Sequence, residues 1–133
     1  MQKYIVNCPD FLTMPKEIYF NLNLPDGAFK LFSVFNLYQN SESGCYASNF
    51  YLSKVVGMDE RSITRNISIL EKWFYIKIEN KKSPTKRRIF INSKYKEIYD
   101  KPVKEVWEMR KSVEKFNSKK IKEIFINARE NIL

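Results

Sequence analysis

The fold is decided by the stretch Ser48-Asn-Phe-Tyr-Leu-Ser-Lys-Val-Val-Gly57 and by the segment directly after it, Met58-Asp-Glu-Arg-Ser-Ile-Thr-Arg-Asn-Ile-Ser-Ile-Leu70. Ser48 is suited to begin a helix, because its hydroxyl can accept an unpaired backbone N–H of the first turn. Gly57 is suited to end that helix, since glycine adopts the left-handed conformation at little cost. Asp59 is suited to begin another helix. The sequence therefore predicts two helices joined by a glycine turn.

The apolar residues of both segments recur with helical spacing. The apolar face predicted for the first helix comprises Leu52, Val55 and Val56. Ile63, Ile67 and Leu70 follow the i, i+4, i+7 pattern, which predicts that one stripe of the second helix is buried. The polar face of that helix contains Arg61, Arg65, Ser68 and Lys72, flanked by Ser62, Thr64 and Asn66. Together these features predict a helix-turn-helix motif.

A basic hairpin is predicted directly after the second helix. Tyr75-Ile-Lys-Ile-Glu79 alternates apolar and charged residues, which is typical of a strand with one buried face. Arg88-Ile-Phe-Ile-Asn92 is a second β-rich run, and the segment between the two, 80–87, is polar and basic. We expect two strands with a charged tip, and a brief strand at Cys45-Tyr-Ala47 that pairs with them.

The segment 62–76 resembles the recognition segment of winged-helix proteins, which typically reads Ser/Thr-Val-x-Arg-x-Leu-x-x-Leu-Glu before a strand. The matching positions are Ser62, Ile63, Arg65, Ile67, Leu70 and Glu71. That family usually has a glycine shortly before the strand, whereas this chain has Trp73-Phe74-Tyr75. The end of the second helix must therefore be closed differently. The resemblance implies a winged helix-turn-helix: a mainly α fold with a small β-hairpin wing, of the α+β class, plus C-terminal helices.

Other elements are predicted on both sides of this motif. Tyr4-Ile-Val-Asn7 reads as extended, and 15–21 reads as a helical turn capped by Thr13. A full helix is predicted over 25–40, with the apolar stripe Ala28, Leu31, Phe32, Phe35 and Tyr38. The segment 11–18, followed by 24–31, resembles the lead-in of winged helices from plasmid and phage replication proteins.

Two amphipathic helices are predicted at the C-terminal end. The first begins at Asp100 and Pro102 and has the stripe Val106, Met109, Val113 and Phe116. The second is capped by Ser118 and has the stripe Ile121, Phe125, Ala128 and Ile132. The chain thus divides into a winged-helix domain, 1–93, and C-terminal helices, 94–133. These stripes either fold back on the body or pair with a second copy, and the stripe that reaches the chain end favours a homodimer.

The composition argues against several classes of protein. The chain has no histidine and two cysteines, so the usual general base and a structural zinc site are both missing. With three glycines and no phosphate-binding loop, we expect no enzyme activity, no cofactor and no metal site. No apolar run is long enough to span a bilayer, and a secretory signal is not recognisable. We therefore expect a cytoplasmic protein.

The positive charge is concentrated in one part of the chain. The net charge is +9, and the segment 74–101 contains nine basic and three acidic residues, whereas 1–73 contains seven of each. A lysine-rich surface selected for solubility would give a similar total. It does not explain why Lys81, Lys82, Lys86, Arg87 and Arg88 cluster at one hairpin. This distribution is typical of a protein that binds a polyanion.

Sequence-specific binding to double-stranded DNA is the predicted function. The second helix of the motif would enter the major groove, with base contacts from Arg61, Ser62, Thr64, Arg65 and Ser68. The wing would contact the DNA backbone through Lys81, Lys82, Lys86, Arg87 and Arg88. The resemblance implies a role in plasmid or phage replication or its control. The alternatives are a small transcriptional regulator and a winged-helix module that binds another protein.

Overall fold

The computed structural model describes residues 12–83, 85–112 and 115–132. Within these ranges the helices are α1 (Lys16–Tyr19), α2 (Asp26–Phe35), α3 (Asn49–Val56), α4 (Glu60–Lys72), α5 (Tyr95–Ile98), α6 (Asp100–Lys111) and α7 (Ser118–Glu130). The strands are β1 (Ile76–Glu79) and β2 (Arg88–Ile91). A 3-10 turn, Asn36–Tyr38, continues α2. This order confirms the predicted α+β winged helix-turn-helix with additional C-terminal helices.

Three local interactions place α3 and α4 where the sequence predicts them. The Ser48 hydroxyl accepts the Tyr51 backbone N–H at 3.2 Å and begins α3. Gly57 ends that helix in the left-handed conformation, with φ of 71°. The Asp59 carboxylate accepts the Ser62 N–H at 2.7 Å and begins α4. The direction of α4 is therefore set by short-range chemistry that the sequence contains.

The wing is a two-stranded antiparallel hairpin in which Ile76 pairs with Ile91. The predicted strand at 45–47 is reduced to one bridge, where Cys45 and Ile89 exchange two backbone hydrogen bonds of 2.8 Å. It does not continue, because the Ala47 carbonyl accepts a hydrogen bond from the Arg87 guanidinium instead of from strand backbone. The wing is thus attached to the body by one backbone bridge and by side chains.

The end of α4 shows how the chain replaces the missing glycine. Phe74 itself adopts the left-handed conformation, with φ of 65°. The Tyr75 N–H donates to the Leu70 carbonyl at 3.0 Å, and the Phe74 N–H donates to the Glu71 carbonyl at 3.0 Å, as in a Schellman motif. A residue with a Cβ is strained there. The neighbouring Trp73 and Tyr75 side chains are both buried, and this anchoring maintains the turn.

The C-terminal helices fold back on the winged-helix body. Ile121 and Phe125 are completely buried in the single chain. The Phe125 ring stacks on Tyr99 with centroids 5.5 Å apart, and the Tyr99 hydroxyl donates to the Trp73 carbonyl at 2.6 Å. The prediction that this stripe forms a homodimer is therefore wrong for Ile121 and Phe125. Ile132, at the end of the stripe, is 53% exposed.

Several other predictions need correction. Val55 is exposed because the buried side of α3 consists of Leu52 and Val56. Thr13 does not cap α1, since its hydroxyl accepts the Asn36 side-chain amide at 2.8 Å. The cap of α7 is Asn117, which accepts the Lys120 N–H at 3.1 Å, one residue before the predicted Ser118.

The predicted helix stripes are confirmed in part. That of α2 is buried at Ala28, Leu31, Phe32 and Phe35, with Tyr38 partly buried. In α6, Val106 is buried, but Phe116 lies beyond the end of the helix and is 61% exposed. Tyr4–Asn7 and Val113 lie outside the described residues.

Replacing Phe74 tests the strain at the end of α4. We expect Phe74→Gly to be more stable than Phe74→Ala by about 1 kcal/mol, since only glycine tolerates the left-handed backbone without a Cβ penalty. Both variants remove the aromatic ring, so their difference in urea denaturation isolates the backbone conformation. Equal stabilities of the two variants would mean that Phe74 is unstrained.

The role of α7 in the core is tested by truncating one buried and one exposed side chain of its stripe. We expect Phe125→Ala to lower the free energy of unfolding by about 3–5 kcal/mol, because it removes a fully buried ring. The matched Ile132→Ala variant should change stability by less than about 0.5 kcal/mol, as usual for an exposed position. Chemical denaturation measures both. A small loss in Phe125→Ala would contradict a shared core.

Candidate nucleic-acid interface

The outer face of α4 brings together the five residues predicted to contact bases. Four of them are exposed: Arg61, Thr64, Arg65 and Ser68. Ser62 is half-buried, and its hydroxyl lies 3.4 Å from Nη2 of Arg65. Arg61 and Arg65 are one helical turn apart, so their side chains project from the same face. The opposite face of α4 is buried through Ile63, Ile67 and Leu70, which confirms the predicted stripe.

Asn66 differs from its predicted place beside the polar face. It is buried, and its amide nitrogen donates to the Ser62 carbonyl at 2.9 Å. This amide lies against α2 at Gly27, where an added Cβ would be 2.6 Å from the Asn66 nitrogen. A side chain at residue 27 would therefore have to displace the Asn66 amide. The packing of Asn66 fixes α4 against the body and leaves its arginines exposed.

The beginning of α4 carries negative charge close to these arginines. The hydrogen bond from the Ser62 N–H lowers the pKa of the Asp59 carboxyl, and the nearby Arg65 and Arg61 lower it further. The cap is therefore ionised at neutral pH. An ionised cap keeps the first turn of α4 ordered, and this is the turn from which Arg61 projects.

The wing tip contributes lysines that differ in their surroundings. Lys82 and Lys86 are exposed. The Lys81 ammonium lies 2.6 Å from the Glu71 carboxylate, near the end of α4. The tip itself is closed by Asn80, which has φ of 56° and donates from its side chain to the Lys86 carbonyl at 3.1 Å. The wing tip is thus held next to the end of α4, with two lysines pointing outward.

Arg87 and Arg88 make contacts within the protein. Nη1 of Arg87 donates to the Asn49 side-chain oxygen at 2.8 Å, and Nη2 donates to the Ala47 carbonyl at 2.8 Å. Burial lowers the pKa of the Arg87 guanidinium. The Arg88 guanidinium lies over the Tyr46 ring, 4.8 Å from its centre. Both arginines were predicted to contact the DNA backbone, but in this structure their side chains join the wing to the segment before α3.

Asn49 is a member of this surface that the sequence reasoning missed. Its side-chain nitrogen donates to the Thr64 hydroxyl at 3.0 Å, while its oxygen accepts from Arg87. Helical periodicity does not identify such a residue, because Asn49 belongs to no apolar stripe.

Comparison with known proteins supports the helix-turn-helix assignment. Residues 22–76 match the family model of a helix-turn-helix domain. This segment contains α2, α3 and α4 and ends at the first residue of β1. No curated protein and no solved structure gives a significant match to the chain. The match agrees with the helix-turn-helix arrangement that the structure shows within residues 22–76.

Two further findings concern the described part of the chain. None of its helices combines the length and the apolar character needed to cross a membrane. Its cysteine and carboxylate side chains also form no cluster of three or more that could hold a metal ion.

Proposed function

We propose that this protein binds a specific sequence of double-stranded DNA, with α4 in the major groove and the wing on the adjacent DNA backbone. One observation carries the proposal. The exposed arginines of α4 and the exposed lysines of the wing belong to two elements that are joined side by side, through Lys81 and Glu71. In a DNA duplex, the base edges in a groove likewise lie next to the phosphates of the backbone.

Arg61 and Arg65 are the side chains best suited to read sequence. The arginine guanidinium can donate two parallel hydrogen bonds to O6 and N7 of guanine, which distinguishes this base from the others. Both arginines lie in the first half of α4, the part of a recognition helix that contacts base edges. Ser62, Thr64 and Ser68 would add contacts to neighbouring bases or phosphates.

Lys82 and Lys86 would supply most of the backbone contact made by the wing. Their ammonium groups are exposed, and contacts to phosphates release counterions whatever the base sequence. Lys81 shares its charge with Glu71, and Arg87 and Arg88 are engaged in contacts within the body. The wing would thus increase affinity, while α4 would determine which sequence is preferred.

For the biological process we propose plasmid or phage replication or its control, in the cytoplasm and without enzyme activity. The support is the resemblance of 11–18 and 24–31 to the lead-in of replication-protein winged helices. A small transcriptional regulator is the alternative within DNA binding. The part of the chain that faces DNA would be 1–93, and 94–133 would support it. A homodimer would have to use a surface other than the buried Ile121 and Phe125.

Selection of binding sites from random duplex DNA tests the proposed function directly. We expect the selected duplexes to share a short motif that contains guanines, because arginines dominate the exposed face of α4. The alternative that α4 binds a protein predicts no enriched motif. Measuring the affinity over a range of salt concentrations also distinguishes DNA binding from protein binding, since binding to DNA weakens steeply as the salt concentration increases.

Arg65→Ala tests the readout of bases. We expect it to weaken binding to the selected duplex by about 1–3 kcal/mol, with nearly unchanged affinity for a random duplex, because a bidentate contact to guanine is lost. Fluorescence anisotropy with both duplexes measures the difference. Arg110→Ala removes an exposed arginine of α6 that lies over the Phe20 ring, and it is the control, with no expected effect on the affinity for either duplex. Equal losses of affinity for the two duplexes would mean that Arg65 contacts a phosphate and does not read a base.

Neutralising the wing tests the backbone contact. We expect Lys82→Gln combined with Lys86→Gln to lower affinity for every duplex and to flatten the slope of log affinity against log salt by about two units at most. Lys81→Gln is the matched control and should change the slope less, since this lysine is already paired with Glu71. An unchanged slope in the double variant would show that the wing tip does not touch DNA.

A further inference from the structure

A chain of hydrogen bonds connects α4 to the base of the wing through a single side chain. The Asn49 amide donates to the Thr64 hydroxyl of α4 at 3.0 Å and accepts from the Arg87 guanidinium at 2.8 Å. Arg87 continues the chain to the Ala47 carbonyl at 2.8 Å. Asn49, the first residue of α3, thus contacts both elements that are proposed to bind DNA.

We propose that Asn49 is a positioning residue that fixes the wing relative to α4, so that the lysines of the tip and the arginines of the helix can reach one DNA duplex together. This inference rests on the proposed function, and it adds a residue that determines geometry without itself reading the sequence. Arg87, which directly follows Lys86, would transmit the position of Asn49 to the wing tip.

The chemistry of the neighbours favours an asparagine at this place. The Thr64 hydroxyl donates its proton to the Glu60 carbonyl at 3.1 Å, so it offers Asn49 an acceptor. Arg87 offers only donors. A side chain that joins them must donate on one side and accept on the other, and a primary amide does both from one rigid plane. A carboxylate has no hydrogen to donate to Thr64, and an alanine reaches neither partner.

The other contacts between the wing and the body do not by themselves fix the position of the wing tip relative to α4. A hairpin of two strands is only marginally stable by itself. The pair between Lys81 and Glu71 is exposed, and such pairs hold a geometry weakly. The Cys45–Ile89 bridge and the buried side chains of Ile76 and Ile89 hold the strands of the hairpin, whereas Arg87 lies at the edge of the tip, beyond these contacts. Arg87 is half-buried and donates through two nitrogens of a planar group, so it restricts rotation as well as distance.

The test is a double-mutant cycle read by DNA affinity and its salt dependence. The proteins are the native chain, Asn49→Ala, the Lys82→Gln/Lys86→Gln variant and the variant that combines all three changes. We expect Asn49→Ala to weaken binding to the selected duplex roughly tenfold, as for coupled residues in contact, and to flatten the salt slope. In the Asn49→Ala background, neutralising the two lysines should then cost much less than in the native protein.

Two binding results would overturn the proposal. If the fold-losses of affinity caused by Asn49→Ala and by the two lysine changes simply multiply in the combined variant, Asn49 does not position the wing. It then contacts DNA directly or acts elsewhere. If Asn49→Ala binds with native affinity and slope, the hydrogen-bond chain has no influence on binding. Ser53→Ala is the matched control in α3, since the Ser53 hydroxyl donates only to the local Phe50 carbonyl, and it should leave affinity and slope unchanged.

A measurement on the free protein separates this inference from the proposed function. Amide hydrogen exchange in β2 should accelerate roughly tenfold in Asn49→Ala, with unchanged exchange in α6, because the wing opens locally when its attachment is lost. Unchanged exchange in β2 overturns the inference, whatever binds to the protein. Faster exchange in a protein that binds no duplex would instead reject the proposed function and retain the attachment. If Asn49→Ala does not fold, Asn49→Gln, which displaces the amide by one methylene, replaces it with the same expectations.

Discussion

The packing of Tyr75 is the interaction on which the rest of this structure depends. Its side chain is completely buried at the junction between α4 and β1. The hydroxyl donates to the Glu17 carbonyl at 2.9 Å and accepts from the Asn21 side-chain amide at 3.0 Å, while the ring stacks on Tyr99 with centroids 5.0 Å apart. Burial raises the pKa of Tyr75 well above its ordinary value, so the hydroxyl keeps the proton that it donates. One side chain therefore joins α1, the end of α4, the start of the wing and the residue that precedes α6.

This anchor explains how the chain tolerates a phenylalanine where glycine is easiest. Phe74 must turn left-handed for Tyr75 to enter the core and for β1 to begin. The strain of about 1–2 kcal/mol is small compared with the burial of aromatic side chains on both sides of the turn. Tyr99, which stacks on Tyr75, also accommodates Phe125 of α7. The C-terminal helices thus stabilise the same junction from which the wing starts.

The sequence predicts well whatever depends on neighbours a few residues apart. Ser48, Gly57 and Asp59 act within one helical turn, and the stripe of α4 repeats with a fixed period, so these features were predicted correctly. The sequence predicts poorly the pairing of distant residues. The ring of Phe125 stacks on Tyr99, so α7 packs against its own chain. The helical periodicity of the stripe would be the same if it paired with a second copy. Asn66 shows the same limit, since its burial depends on the absence of a side chain at Gly27.

The candidate site shows why a count of charges does not define a surface. Five cations were predicted to face DNA from the wing, because all of them cluster at one hairpin. In the described part of the chain, Lys81 is paired with Glu71, Arg87 is bound to Asn49 and Ala47, and Arg88 lies over Tyr46. The contacts of Arg87 and Arg88 join the wing to the segment before α3, and Lys82 and Lys86 are exposed. A count of cations in the sequence therefore overstates how many of them are available to a partner, since some contact other parts of the same chain.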